Sequence, residues 1–264
     1  MKSLNVLEKE NEEITGITQF QKPIVSPAFV SAAIIGIVLL IVLIQIGFLN
    51  TYIRFFPKFE DTTIEGRGTM RFNWIMHLHG MVMMSWVFML LVQPILIRQG
   101  KMKLHRQAGQ LSYVIAPLVV VFLFLVNQDA YHNNLNLAGK FQAVAFISLT
   151  FPGIIFFGAL YTFAILYRRR PALHMRFMCS TAFLLIPPAL DRALIFYLNL
   201  PGFDVGSIVV LLLTGTITII DSVKTKRLSP FVLVFAFFVL HKTLWHLRET
   251  DFWQTIGNVI AKLF

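Results

Sequence analysis

"WIMHLHGMVMMSWVFMLLVQPILI", Trp74 to Ile97, has the length and apolar content of a membrane-crossing helix, yet its first half carries two histidines and four methionines. A helix needs about 20 predominantly apolar residues to cross the hydrocarbon. Whether this run is a buried soluble helix or a membrane span decides the fold. The rest of the chain answers. It is 56% hydrophobic and only 14% charged over 264 residues, above the apolar share of a soluble domain. The apolar residues are gathered into long runs, as in a polytopic membrane protein. Backbone groups in lipid must be paired internally, so spans are helices or strands of a closed barrel. These runs are too long and too uniformly apolar for barrel strands, which alternate. The expected class is all-α, a polytopic integral membrane bundle.

Seven spans are expected, near residues 27–49, 74–97, 108–127, 141–167, 176–198, 205–221 and 230–247. The sixth is short. Residues 1–26 read as a polar cytoplasmic tail without the apolar core of a signal peptide, 27–247 as the bundle, and 248–264 as a short amphipathic segment in the interface. Pro94, Pro117, Pro152, Pro187 and Pro188 fall inside spans, where each removes a backbone donor and favours a kink. Cys179 is the single cysteine, which excludes an internal disulfide or a multi-cysteine metal site.

The net charge of +10 is not a nucleic-acid signature, because the basic residues lie in short loops between spans. Lys2, Lys9, Lys22, Arg98, Lys101, Lys103, Arg106, Arg168, Arg169, Arg170, Arg176, Lys224, Lys226 and Arg227 share one side, fourteen of 23. The positive-inside rule puts that side, with the N-terminus, in the cytoplasm. The expected location is a bacterial cytoplasmic membrane, with the lipid bilayer as partner.

Ionisable groups inside a membrane are costly and mark functional sites by default. At about 1.5 Å per residue, His77 and His79 lie roughly 5–8 Å below the outer edge, and Asp191, Arg192 and His241 roughly 9–10 Å. Three helices thus bring five ionisable residues to one depth. The plainer reading is a snorkelling Arg192 with a local Asp191 pair and interfacial histidines beside Trp74 and Trp245. His77, Met81 and Met84 share a helix face, a donor set that suits Cu(I), although methionines at helical spacing usually pack. His132, in the outer loop, and His246 read as surface and interfacial residues.

A second cluster is cytoplasmic. "GKMKLHRQAGQ" sets His105 at the entry of span three, and "RRRPALHMRFM" sets His174 at the entry of span five. Two facing imidazoles can ligate a b-type haem, with Arg106 and Arg176 holding its propionates. The plainer reading is a pair of basic topology-fixing loops.

The segment "HLHGMVMMSWVFMLLVQPILIRQGKMKLHRQAGQLSYV" resembles uncharacterised bacterial polytopic membrane proteins of the domain-of-unknown-function 2306 type. The features that carry it are His77 or His79, Trp86, Gln93, then His105-Arg106 and Gly109. That family also tends to carry a His-Arg motif after a later basic loop; here "LHMRFM" displaces the arginine to Arg176. The resemblance spans residues 74–195 and implies a multi-pass membrane protein without an assigned activity. A looser, architectural likeness is to di-haem b-type cytochromes, with His105 and His174 inside and His77 or His79 with His241 outside.

Three functions are compatible with these residues. One is a haem b protein passing electrons across the membrane, with a quinone or membrane redox partner. Another is a transporter or proton-coupled permease using Asp191, Arg192 and His241 as a relay. The last is a structural or assembly partner of a membrane complex. There is no phosphate-binding glycine loop, H-E-x-x-H motif or Ser-His-Asp set, and no soluble domain of useful size.

Overall fold

The computed structural model describes residues 26–64, 68–70 and 72–264. The polar tail expected over 1–26 therefore lies outside the described residues, apart from Ser26. Helix α1 (Pro27–Leu49) begins on a Ser26 cap whose hydroxyl accepts from the Phe29 N–H, with Pro27 in the first turn. Only a narrow stripe of it is buried, at Val30, Ile37, Leu40 and Gly47. Ile35, Leu39, Val42 and Ile46 are exposed. A helix apolar all round that buries one stripe has lipid on the rest.

The loop that follows carries two short paired strands, β1 (Thr62–Ile64) and β2 (Gly68–Met70), antiparallel with Thr63 opposite Thr69. Helix α2 (Trp74–Arg98) starts on Asn73, whose side chain accepts from the Met76 N–H at 2.9 Å. It stops where Gly100 takes a positive φ. The surface helix α3 (Met102–Gly109) buries nothing.

Segment α4 (Ser112–Leu166) is two helical arms that meet at Gly139, whose φ of 80° and ψ of 172° are non-helical. Straight, its ends would stand roughly 80 Å apart at 1.5 Å per residue. Instead the Ser112 and Tyr161 hydroxyls are 3.1 Å apart, and Ala116, Val119 and Phe157 share one core. The element is a hairpin of two helical arms with Gly139 at its tip. Helices α5 (Pro171–Phe183) and α6 (Ile186–Leu198) divide the expected fifth span. Pro187 opens α6 rather than kinking a continuous helix, as expected of proline in a first turn. Helix α7 (Gly202–Thr225) has 24 residues, so the expected short sixth run is extended at both ends. Helix α8 (Phe231–Leu247) turns by 106° into α9 (Asp251–Ile260).

Among the described residues five segments are long and apolar enough to cross a membrane: Pro27–Leu49, Trp74–Arg98, Met102–Leu166, Pro171–Leu198 and Gly202–Thr225. A sixth is the bent pair Phe231–Leu247 with Asp251–Leu263, if counted as one. The protein is an all-α multi-pass membrane bundle. Lipid tails supply no hydrophobic drive between helices, so small residues let them approach closely. Gly47 lies against the Ala189 backbone, and Gly202 and Gly206 lie against Asp191. Helix α6 is thereby clasped between α1 and α7. The central core is built on Trp86, fully buried, with Phe157 and Tyr161 set edge-on to its ring. A second core stacks Phe156 on Phe237 at 4.1 Å and 4°.

Candidate functional site

Two ends of the bundle are defined by contacts between helices of opposite direction. At the hairpin-tip end, Asn73 donates to Asp129 at 3.0 Å and Lys242 pairs with Asp204 at 2.8 Å. At the basic end, Arg176 of α5 reaches Asp221 near the end of α7.

His77 and His79 lie at the tip end, two residues apart on α2, and meet different surroundings. The His77 Nδ1 is 2.7 Å from the Tyr52 hydroxyl, and its ring packs on Phe59, with Phe72 completing an aromatic box. Burial pushes the Tyr52 phenol above its usual pKa. Met81 is 65% exposed on the outer face of α2. The His77, Met81 and Met84 set is therefore divided between an enclosed imidazole and an outward thioether. Among the described residues no group of three His, Cys, Asp or Glu side chains could hold a metal ion.

His79 points into the bundle, within electrostatic reach of Arg192 on α6. Its Nδ1 is buried and has no hydrogen-bond partner among the described residues. Arg192 donates to the Pro188 carbonyl at 2.6 Å and lies 4.5 Å over the Phe48 ring. Asp191 turns its carboxylate toward Gly206 of α7. His241 shares this depth but occupies a different interface. Its Nε2–H donates to the Leu149 carbonyl at 2.7 Å, across from α8 to the second arm of α4. Pro152 loosens that arm by withholding its own donor. The His241 ring stacks on Phe237 and meets Phe203 edge-on. His79 and Arg192 thus meet beside α6, Asp191 lies on the face of α6 toward α7, and His241 is a strut in a separate interface.

At the basic end the residues of the quoted motif meet one another. The Gln93 amide oxygen accepts from the Gly109 N–H at 3.2 Å, while its nitrogen donates to the His105 carbonyl at 3.1 Å and His105 Nδ1 at 2.5 Å. Gln93 closes the turn between α2 and α3, and Trp86 Nε1 donates to Thr181 at 3.1 Å. His105 and His174 lie within electrostatic reach. The His174 Nδ1–H donates to the Ala164 carbonyl at 2.7 Å, which leaves its Nε2 lone pair available. That is the arrangement of a ligating imidazole. His105 does not match it: with Nδ1 accepting from Gln93, the neutral ring carries its proton on Nε2. Arg106 is exposed. Arg176 is bound at both ends of the Asp221 carboxylate, at 2.8 and 2.7 Å, and stacks over Phe29 at 4.8 Å. It is committed to a protein carboxylate, not a propionate. A haem held by two histidines, with Arg176 on its edge, does not fit this arrangement.

Sequence reasoning missed Tyr52, Asp221 and Ser229. Ser229 donates to Asp221 at 2.5 Å and is fully buried. His132, expected in a solvated loop, lies on the first arm of α4, and its Nε2–H donates to the Phe264 carbonyl at 3.0 Å. Comparison with protein-family models, with curated proteins and with solved structures finds no match to the chain.

Proposed function

We propose that this is a seven-span protein of a bacterial cytoplasmic membrane, N-terminus inside, that moves protons or a proton-coupled solute through a site of His79, Arg192 and Asp191. The seven spans follow if each arm of α4 crosses once and α5 with α6 crosses as one broken span. The basic end then faces the cytoplasm, in keeping with the positive-inside rule. The observation that carries the functional reading is the buried His79 Nδ1 without a partner, opposite Arg192. An unsatisfied buried polar atom costs about 1–3 kcal/mol, and ionisable groups in a membrane mark proton and ion pathways. An imidazole beside a guanidinium, with a carboxylate on the next residue, offers both a proton acceptor and a counter-charge. His241 is left out of the relay because its proton is committed to Leu149.

The test is proton flux into liposomes carrying the purified protein and a trapped pH dye, driven by an imposed potential. Wild type is expected to acidify the lumen, and Asp191→Asn and His79→Ala to slow it by at least about tenfold, roughly 1.4 kcal/mol in barrier, while staying monodisperse. Undiminished flux in both variants would overturn the reading.

One observation favours the redox alternative, the free His174 Nε2; His105 and Arg176 count against it. A dithionite-reduced spectrum without a b-type α-band is the expected result. A colourless protein that also carries no flux would point to the assembly-partner reading. The contact of Gln93 with His105 and Gly109 gives that motif a structural purpose, closing the turn between α2 and α3.

A further inference from the structure

At the hairpin-tip end a cavity of about 330 Å³ opens between the tip of α4 and the end of α8. That volume is at the small end of the range for ligand sites, ~300–1,000 Å³. Its lining includes Asn134, Ala138, Gln142, Phe146, Trp245 and Arg248. We infer that it binds the zwitterionic headgroup of a phospholipid, a phosphate with a primary ammonium. This rests on the membrane-spanning reading of the helices and not on proton transfer.

The level of the cavity follows from α9. After the 106° turn, a helix that continues a membrane span runs close to the membrane plane. Its side chains divide into three sectors. Phe252, Ile256 and Val259 form one exposed apolar stripe, spaced i, i+4 and i+7 along one face, and Leu263 in the 3-10 turn that follows is exposed as well. Trp253 and Gly257 face the hairpin, where Trp253 Nε1 donates to the Val144 carbonyl at 3.0 Å. Asp251, Gln254, Thr255 and Asn258 make the polar sector. An apolar stripe well separated from a polar sector is the pattern of a helix half-sunk at the headgroup boundary. Arg248 is in the turn between α8 and α9, so the cavity lies at headgroup depth.

The choice of headgroup follows from charge. Arg248 is laid flat on Trp245, 4.1 Å from the ring, and its Nη1 donates to the Trp245 carbonyl at 2.8 Å. Its Nη2 is 3.2 Å from Glu249, whose side chain is 52% exposed against 30% for the arginine. A guanidinium and a carboxylate side by side suit a ligand carrying both signs. Glu249 lies outside the lining but pairs with Arg248 at the rim, and Asp204 is within electrostatic reach of Arg248, so negative charge stands beside the cavity and opposes a purely anionic headgroup. The exposed Gln142 side chain makes no hydrogen bond among the described residues and supplies a donor for phosphate. Asn134 donates its nitrogen to the Ala130 carbonyl at 2.8 Å, leaving its oxygen to accept from an ammonium. Ala138 and Phe146 provide the apolar wall toward the chains.

Native mass spectrometry of the detergent-purified full chain tests this, with phosphatidylethanolamine, phosphatidylglycerol and phosphatidylcholine of matched chains and with soluble phosphoethanolamine. Phosphatidylethanolamine is expected to bind at least about tenfold more tightly than phosphatidylglycerol or phosphatidylcholine, roughly 1.4 kcal/mol. Glu249→Gln and Gln142→Leu should each erase most of that preference while leaving thermal midpoint and proton flux unchanged. Equal binding of the three lipids to wild type, or an intact preference in both variants, would overturn the proposal. Displacement of the lipid by soluble phosphoethanolamine would overturn the membrane source of the ligand. Flux lost in the His79 and Asp191 variants with lipid preference intact would separate the two sites.

Discussion

Arg176 donates twice to Asp221, Ser229 donates to the same carboxylate, and the guanidinium covers Phe29. One side chain therefore ties α5 to the end of α7, to the loop before α8 and to the start of α1. The two side chains are only 12% and 10% exposed. Removing one partner of a buried pair leaves an uncompensated charge, a loss of about 3–5 kcal/mol. Asp221→Asn should lower the thermal midpoint in detergent sharply. Lys242→Gln removes the partner of Asp204, whose side chain is 58% exposed, and should change stability by about 0–1 kcal/mol. Similar losses from the two variants would refute the contrast. Arg176 stood out in the sequence as a basic residue beside His174, but its partner is 45 positions away. Nothing local links them; only the antiparallel run of α5 and α7 does. His241 was legible as a buried imidazole, whereas its partner, the Leu149 carbonyl, is a backbone group that no inspection of side chains reveals.

At the scale of elements, the runs of apolar residues read correctly as helices, because length and composition are all that lipid demands. Boundaries were less legible. The polar stretch from Asn127 to Lys140 looked like a loop, yet it is helical up to Gly139. Tyr131 and Leu135 pack there against Val144, Ile147 and Trp253, so a distant segment supplies the burial that the local sequence lacks. The reversal then falls on one residue. Gly139, with φ 80° and ψ 172°, occupies a region essentially closed to side-chain-bearing residues, at a cost of order 1–3 kcal/mol. No atom lies within 4 Å of the position a Cβ would take, so the penalty is one of backbone alone. Gly139→Ala should lower the thermal midpoint by an amount consistent with that range and leave the hairpin folded. A loss of helix content by circular dichroism would show instead that the tip must reverse through glycine. Gly206→Val is the opposite case: its side chain would drive into the Asp191 carboxylate. It should part α6 from α7 and reduce proton flux as well as stability.

For the whole molecule, alternation of direction decides which groups share an environment. The start of α2, the end of α6, the tip of α4 and the end of α8 lie at one end, with His79, Arg192 and the cavity beside Arg248. The basic loops lie at the other. The sequence conveyed this partition because basic residues on one side are a topological signal. It could not convey which groups of equal depth face one another, since rotation about each helix axis is set by packing at Gly47, Gly202 and Gly206. Orientation is open to a direct chemical test. Lys140 at the hairpin tip and Lys101 between α2 and α3 are both exposed. With Cys179 replaced by alanine, a membrane-impermeant maleimide added to intact cells should label Lys140→Cys and spare Lys101→Cys until the membrane is opened. The reverse pattern would put the basic end outside, against the positive-inside rule. It would move the His79 site to the cytoplasmic half and the headgroup cavity to the inner leaflet. The contacts within each site would be unchanged, but in the cell a proton would reach the His79 site from the opposite compartment, so the labelling result fixes which side of the cell membrane the proposed relay opens to.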